Sequence, residues 1–392
     1  MEKNRIQIGI YGVSLLLMGA IGVAGALSTI GANFPKESQT MIQNIVSIPC
    51  LVVIPTTLIV GKLMGSMSKK ILAIIGTIAF LIGGIVPAFL SSLPLILVFR
   101  GILGIGIGIA QPVSSALVAE YFEGADRDKV QGNVQSGQMI GGAVMVFAGG
   151  WLGSLSWDKS FYVYLLAIIT LILVILCLPN TKPAKTLETK EEKSKVKITG
   201  TAWLWVITLF LFFLGSQGFS IYLAYLVDER ALGTAAQSGN SLAFFTIAGF
   251  VTGLLFGKLA GMMKNLTLFV GLAGTAASYI VIAYAGSLAV VYFGCVLFGV
   301  FLSIAVPCIM VGGMNSVDPF SASMLVALLM CGQNLAQFLC PYILNPVLAI
   351  VSNGTNSNQL AFIISGGILA AMAVVALIWG IKPKKTAVQL SV

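Results

Sequence analysis

Arg100 is the one charged side chain that the sequence sets well inside a long apolar run, about seven residues or roughly 10 Å from its edge. A guanidinium keeps its charge at any relevant pH. A charge in hydrocarbon is costly, so Arg100 is a candidate for function. None of the 13 acids lies deep in such a run, and Glu120 only borders the end of the same one. The chain has no histidine. Proton relays through an intramembrane Asp, Glu or His are therefore not on offer. The six cysteines (Cys50, Cys177, Cys295, Cys308, Cys331 and Cys340) fall in apolar runs without CxxC spacing and read as packing residues. No metal and no cofactor is expected.

Two roles are open to Arg100. It faces a central cavity and attracts an anionic group, or it is held by carbonyls and amides of the first apolar run, such as Asn33 or Ser28. Uncharged polar groups supply the rest of the recognition chemistry. Gln333 and Gln337 are four apart and share a helix face, with Asn334 beside them. Gln111, Gln138 and Gln217 sit singly in other runs, Tyr222 and Tyr225 are three apart, and Phe244 is followed by Phe245. Amides, phenols and phenyl rings around one cavity suit an amphipathic, partly aromatic ligand. Each amide taken alone serves equally well as a bridge between helices.

The elements that must hold these groups are set by solvent. The chain of 392 residues is 58% hydrophobic and 9% charged, with a mean hydropathy of +1.00. So few charges cannot cover a surface in water, which makes this an integral membrane protein. The apolar runs are continuous over about twenty residues, the length of spanning helices, and lack the alternation of barrel strands. Twelve runs are read, at approximately 7–31, 41–61, 71–90, 94–119, 132–153, 161–179, 202–226, 239–260, 266–285, 288–312, 321–349 and 359–381. The first follows a short basic segment and has span length without a small-residue cleavage site, so it reads as a span and not a leader. A polar, mixed-charge linker, 180–200, divides residues 1–179 from 201–392, six runs on each side.

With the N-terminus inside, all Lys and Arg except Lys36, Lys159, Arg230 and the intramembrane Arg100 fall on the cytoplasmic side. Both termini and the linker are then cytoplasmic, in a multi-pass protein of the cytoplasmic membrane. The pI of about 9.2 is explained by topology and calls for no nucleic acid. The turn GKLMGSMSKK, from Gly61 to Lys70, has a near copy, GKLAGMMKN, at Gly257, 196 residues on and half of 392. A six-plus-six duplication is the plan of many secondary transporters, with the substrate between the halves. Gly104/Gly108, Gly137/Gly141 and Gly249/Gly253/Gly257 have the spacing of close helix contacts.

These residues resemble the major facilitator superfamily over nearly the whole chain. Gly61, Leu63, Lys69 and Lys70 fit its signature in the turn between spans 2 and 3, with Gly65 where the family usually has Asp and Ser68 where it has Gly. Arg100, Gly104 and Gly106 are similar to its fourth-span pattern. Gly149, Gly150, Leu152, Trp157 and Phe161 are similar to its passage after span 5, while Met145 and Val146 replace the Gly-Pro usual in proton-driven exporters.

The resemblance implies an all-α membrane protein, twelve spans in two pseudo-symmetric six-helix bundles, that works as a monomer by alternating access. It further implies conformational roles for Gly61, Gly65, Lys69, Lys70 and Gly257. Asp318, just before Pro319, is placed to cap the eleventh span and so to stand in for the latch that Gly65 cannot make. The function expected is export of small amphipathic molecules, anionic or neutral, with any coupling through a proton or counter-ion. The alternative is uptake or exchange of an organic-anion metabolite. An intramembrane enzyme lacks its catalytic constellation, and a receptor has no need of the duplication.

Overall fold

The computed structural model describes residues 2–180, 199–351 and 358–381. Most of the linker and the basic residues Lys382, Lys384 and Lys385 lie outside the described residues. Within them every regular element is helical. The first half contains α1 (Glu2–Ser14), two tight single turns (Gly19–Ile21 and Ala24–Ala26), α2 (Leu27–Asn33), α3 (Gln39–Leu63), α4 (Lys69–Ile85), α5 (Leu93–Tyr121) and α6 (Gly124–Leu155). A tightly wound stretch, Asp158–Leu166, then leads into α7 (Ala167–Cys177). The second half contains α8 (Gly200–Ser216), α9 (Gly218–Glu229), α10 (Ala235–Met263), α11 (Thr267–Ala283), α12 (Leu288–Met314), α13 (Pro319–Val351) and α14 (Asn358–Ile381).

Eleven helical stretches among the described residues are long and apolar enough to cross a membrane. One of them, Ala235–Ala283, is 49 residues long, about twice what a hydrocarbon core of about 30 Å requires. It comprises α10 and α11, and the chain turns between them at Lys264, whose φ is 48°. That is why twelve apolar runs correspond to eleven stretches. Helix starts follow local chemistry. Ser38 Oγ accepts from the Met41 N–H, Ser68 Oγ from Ile71, and Thr199 Oγ1 from Ala202. The large apolar side chains left exposed, such as Leu254, Val375 and Ile350, face outward, as they must where the surroundings are lipid.

Helices of each half pack mainly on one another: α3 and α4 on α5, α1 on α7, α10 on α12, α11 on α12 and α14. The most extensive contacts between the halves are α6 with α10 and α3 with α13, and the single turn Ala24–Ala26 and α2 also meet α9 and α10. Small residues let the first of these close. A Cβ built on Gly239 would lie 2.6 Å from the Val146 carbonyl oxygen and 2.8 Å from the Gly150 Cα. One built on Gly25 would lie 2.8 Å from the Gly239 Cα. Backbones of three spans therefore touch here, at the end of the molecule where α3 and α10 begin.

The opposite end, where α1 and α8 begin, is splayed. Nothing lies within 4 Å of a Cβ built on Gly61, Gly253 or Gly257. Leu58 and Ile59 are 59% and 58% exposed there. The glycine spacing read from sequence thus has two outcomes. Gly104 and Gly108 meet α3 at 2.6–2.7 Å, whereas Gly253 and Gly257 meet nothing.

Gly239→Val should place two methyl groups where the backbone of α6 lies. We expect a loss of roughly 1–3 kcal/mol of stability, read as a lowered thermal unfolding midpoint of the purified protein, whereas Gly257→Val should leave that midpoint unchanged.

Candidate functional site

A cavity of about 300 Å³ is lined by residues of both halves. It sits beside two breaks in the helices. The first span is interrupted between α1 and α2, and Ala20 and Ile21 from the interruption line the cavity. The seventh apolar run is interrupted at Gln217, between α8 and α9, and Gln217 lines it too. Backbone freed by a break cannot reach water in a membrane interior, so the protein must supply partners.

Arg100 and Tyr164 supply them at the first break. Arg100 is fully buried. Its Nη2 donates to the Ala20 carbonyl at 2.8 Å and its Nε to the Ile45 carbonyl at 2.6 Å. The guanidinium carbon sits 5.1 Å from the centre of the Tyr164 ring, within range of a cation–π contact. The Tyr164 hydroxyl donates to the Gly19 carbonyl at 2.9 Å. Tyr279 does the same work at the second break. Its hydroxyl donates to the Ser216 carbonyl at 2.7 Å and accepts from the Phe219 N–H at 2.9 Å.

Of the nine residues expected to meet a ligand, five line the cavity: Gln111, Gln138, Gln217, Gln333 and Gln337. The side-chain amides of Gln138, Gln217 and Gln333 make no hydrogen bond to other described residues. Four of the nine are not part of the lining. Arg100 is turned into the packing between α3, α5 and the first break, so its partners are carbonyls and neither Asn33 nor Ser28. Tyr222 is fully buried, and its hydroxyl donates to Asn345 Oδ1 at 2.6 Å. The buried Tyr225 hydroxyl sits against Gly31. Phe244 is 42% exposed on the outer face, edge-on to Tyr292, and its neighbour Phe245 reaches the cavity instead.

The lining also takes in Gln135, one turn from Gln138, which the same spacing argument could have found. Phe213, Phe298, Met18, Met139, Met310 and Met330 complete the apolar wall. No sequence signal separates these from lipid-facing residues. Phe298 stacks on Phe219 with ring centres 4.2 Å apart and meets Phe245 at 5.2 Å. Asp, Glu, Lys and Arg are all absent from the lining residues. The site is apolar with unpaired amides, suited to holding an uncharged molecule that has a polar end.

Beyond the cavity, α3 and α13 are clasped by uncharged groups. Asn345 Nδ2 donates to Thr40 Oγ1 at 2.7 Å and to Gln43 Oε1 at 2.8 Å, while its Oδ1 takes the Tyr222 hydroxyl. Asn44 Nδ2 donates to the Tyr342 hydroxyl at 2.7 Å. Nearest the cavity, the Cys50 thiol donates to Gln337 Oε1 at 3.0 Å. At the rim Asn358 bridges Gln39 and Glu229.

At the splayed end the polar contacts among the described residues lie within one half or the other. In the second half Thr199 Oγ1 donates to the Ser316 carbonyl. In the first half Lys69 pairs with Glu120. Lys70 donates to the Ile175 carbonyl and Arg5 to that of Leu176, two cations at the C-terminus of α7. Gly65 lies in an exposed turn, its N–H on the Lys62 carbonyl. Asp318 is exposed just before α13, and its backbone carbonyl accepts from the Ser321 N–H at 2.8 Å.

Arg100→Lys keeps the charge but gathers its donors on one atom, where Arg100 reaches the two carbonyls through separate nitrogens. We expect a loss of about 1.5–3 kcal/mol in thermal unfolding, with ligand affinity of the folded protein unchanged within about twofold. Asn345→Ala removes the hub of the clasp and leaves Tyr222 without its acceptor. Labelling of a Gln39→Cys reporter by a bulky maleimide should then rise about tenfold, since an unpaired buried group costs about 1–3 kcal/mol.

Comparison with known proteins fits this geometry. Multidrug transporter protein MdtP of Bacillus subtilis (strain 168) is 30% identical over 118 residues, 30% of this chain and 22% of that protein. A triacylglyceride transporter of Mycolicibacterium smegmatis is 30% identical over 125 residues, 31% of this chain and 22% of that protein. The matched region thus spans about a fifth of each relative's length. A crystal structure of a mutant of nucleoside transporter NupG superposes with a TM-score of 0.77 at 13% identity, covering 95% of this chain and 99% of that one, a likeness of fold. The family model described as Major Facilitator Superfamily matches residues 8–341. The chain therefore belongs to the Major Facilitator Superfamily and is a multi-pass membrane protein.

Proposed function

We propose that the protein is a secondary transporter in which twelve spans form two six-helix bundles, residues 1–179 and 201–392, that alternate access to the central cavity. Its substrate on this reading is a small, uncharged amphipathic organic molecule, and its direction is export. One observation carries the choice of substrate. The cavity is lined by Gln111, Gln138, Gln217, Gln333 and Gln337 on an aromatic and thioether wall, with no formal charge among its lining residues. An anion finds no cation there, because Arg100 is engaged with carbonyls outside the lining. A cation finds no carboxylate. The names of the two relatives, a multidrug and a triacylglyceride transporter, agree with an apolar cargo.

The positive-inside pattern supports both termini in the cytoplasm. The splayed end is then cytoplasmic, which suits loading from the cell interior. Gly61 and Gly257, with empty space beside them, are the positions at which the bundles would meet when that end closes. Lys69 and Lys70 brace the first bundle for the movement, and Asp318, directly before α13, caps that helix in place of a latch across the bundles. The turn around Gly65 contributes no charge to a latch. With neither carboxylate nor imidazole in the lining, the cycle has no side chain to carry a proton at the cavity, and the cargo runs down its own gradient or in exchange.

In proteoliposomes, uncharged amphiphiles should move faster than cationic or anionic analogues of equal size, with or without an imposed pH gradient. The double variant Gln333→Leu with Gln337→Leu should lower that flux about tenfold or more, the equivalent of about 1.4 kcal/mol. Uptake of cations driven by the proton gradient alone would sink the proposal.

A further inference from the structure

The seam between α3 and α13 is clasped at one end and parted at the other. Cys50, Ile54 and Leu58 follow one another on a single face of α3 at helical spacing. Cys50 is bonded to α13. Ile54 and Leu58 stand off from it, and across the gap lie Ala327 and Cys331. The gap is a crevice of about 180 Å³. Its wall is apolar apart from Thr57, whose hydroxyl is bonded to the Gly108 carbonyl at 3.3 Å. At its inner end stand Gln111 and Asn334, which also line the central cavity. The crevice is thus a side arm of that cavity, polar within and apolar outward.

Its depth decides what it opens onto. At 1.5 Å per residue, Leu58 and Ile54 lie about 8 and 14 Å from the Leu63 end of α3. That is inside one half of a hydrocarbon core of about 30 Å. Leu58, 59% exposed, thus lies at a depth where the outer face of the protein meets acyl chains. A cavity of roughly 150 Å³ holds one benzene, so this crevice takes a stretch of one alkyl chain and not two side by side.

We propose that the crevice is a lateral portal for the tail of a neutral, single-chain amphiphile drawn from the bilayer. The tail lies between α3 and α13, and the head group reaches the amides of the central cavity. The inference rests on the reading of that cavity as the substrate site and adds a route and a tail. A tail entering sideways stays in apolar surroundings, whereas entry through the aqueous mouth exposes it to water. The glutamines then select the head and the portal selects the chain.

The test uses the full chain in nanodiscs and proteoliposomes, with monopalmitoyl glycerol and monobutyryl glycerol as probes. A diazirine on the part of the palmitoyl tail next to the ester should label Val53 and Ala327, and Ala327→Trp should abolish the label at Val53. Leu58→Trp and Ala327→Trp should each lower protein-dependent flux of the palmitoyl ester about tenfold and leave that of the butyryl ester within about twofold. Equal loss of both esters, or no loss of either, overturns the portal. Labelling confined to outward faces such as Val374 and Val375 overturns it whatever the flux. If the wild-type protein carries neither ester yet labels at Val53 and Ala327, the portal stands and the choice of transported substrate falls.

Discussion

A backbone N–H or carbonyl within hydrocarbon must find its partner inside the protein. The two helix interruptions beside the cavity turn that constraint into architecture. Breaking the first span and the seventh run lets irregular backbone and the Gln217 side chain face a cavity at mid-membrane depth. The freed carbonyls then need buried donors. Tyr279 answers at one break, and Arg100 with Tyr164 at the other. Arg100 Nε and Nη2 are spent on the carbonyls of Ile45 and Ala20, its Nη1 is buried without a hydrogen bond to the described residues, and the residue is not part of the cavity lining. The lining left over is neutral, so the uncharged character of the site follows from the repair of the helix that borders it.

The polar contacts divide by kind as well as by place. Ionic groups brace the first half from within: Lys69 on Glu120, and Lys70 and Arg5 on the last carbonyls of α7. Between α3 and α13 the contacts below the rim are hydrogen bonds of Asn, Gln, Thr, Tyr and Cys. A net neutral hydrogen bond contributes about 0.5–1.5 kcal/mol, while separating a desolvated ion pair costs several. Under the proposed alternation, two bundles that part and rejoin are better joined by the first kind. Below the rim, where no Asp, Glu or His takes part, the clasp has no group that changes charge in the pH range of those residues.

The sequence made the architecture legible because lipid imposes a simple rule, about twenty apolar residues per crossing. It made the glutamines legible because polar groups in such runs are rare. It could not orient them all. Phe244 and Phe245 are adjacent on a helix that is apolar on every side, so no amphipathic stripe fixes its rotation, and Phe245 is the one that faces inward. Tyr222 follows the break at Gln217, which resets the phase of α9 against α8, and it meets Asn345 instead of the cavity. The role of Arg100 stayed open for a further reason. Its acceptors are main-chain carbonyls, which every residue carries, so nothing in the letters marks them. Glycine spacing likewise could not tell Gly104, packed on Pro49, from Gly257, facing empty space.

That last pair bears on the energetics of alternation. At the clasped end Gly25, Gly150 and Gly239 let three backbones touch. At the splayed end Gly61, Gly253 and Gly257 sit in helices without any contact that requires a glycine. Glycine within a helix costs about 1 kcal/mol relative to alanine, a standing cost with no return in this conformation. Under the proposed alternation the return comes when the other end closes and these faces pack as Gly239 does now. Both end states would then be stabilised in the same way, by close contact of small residues. On that reading the cargo shifts the balance between the two states only by the difference in how the amides hold it in each.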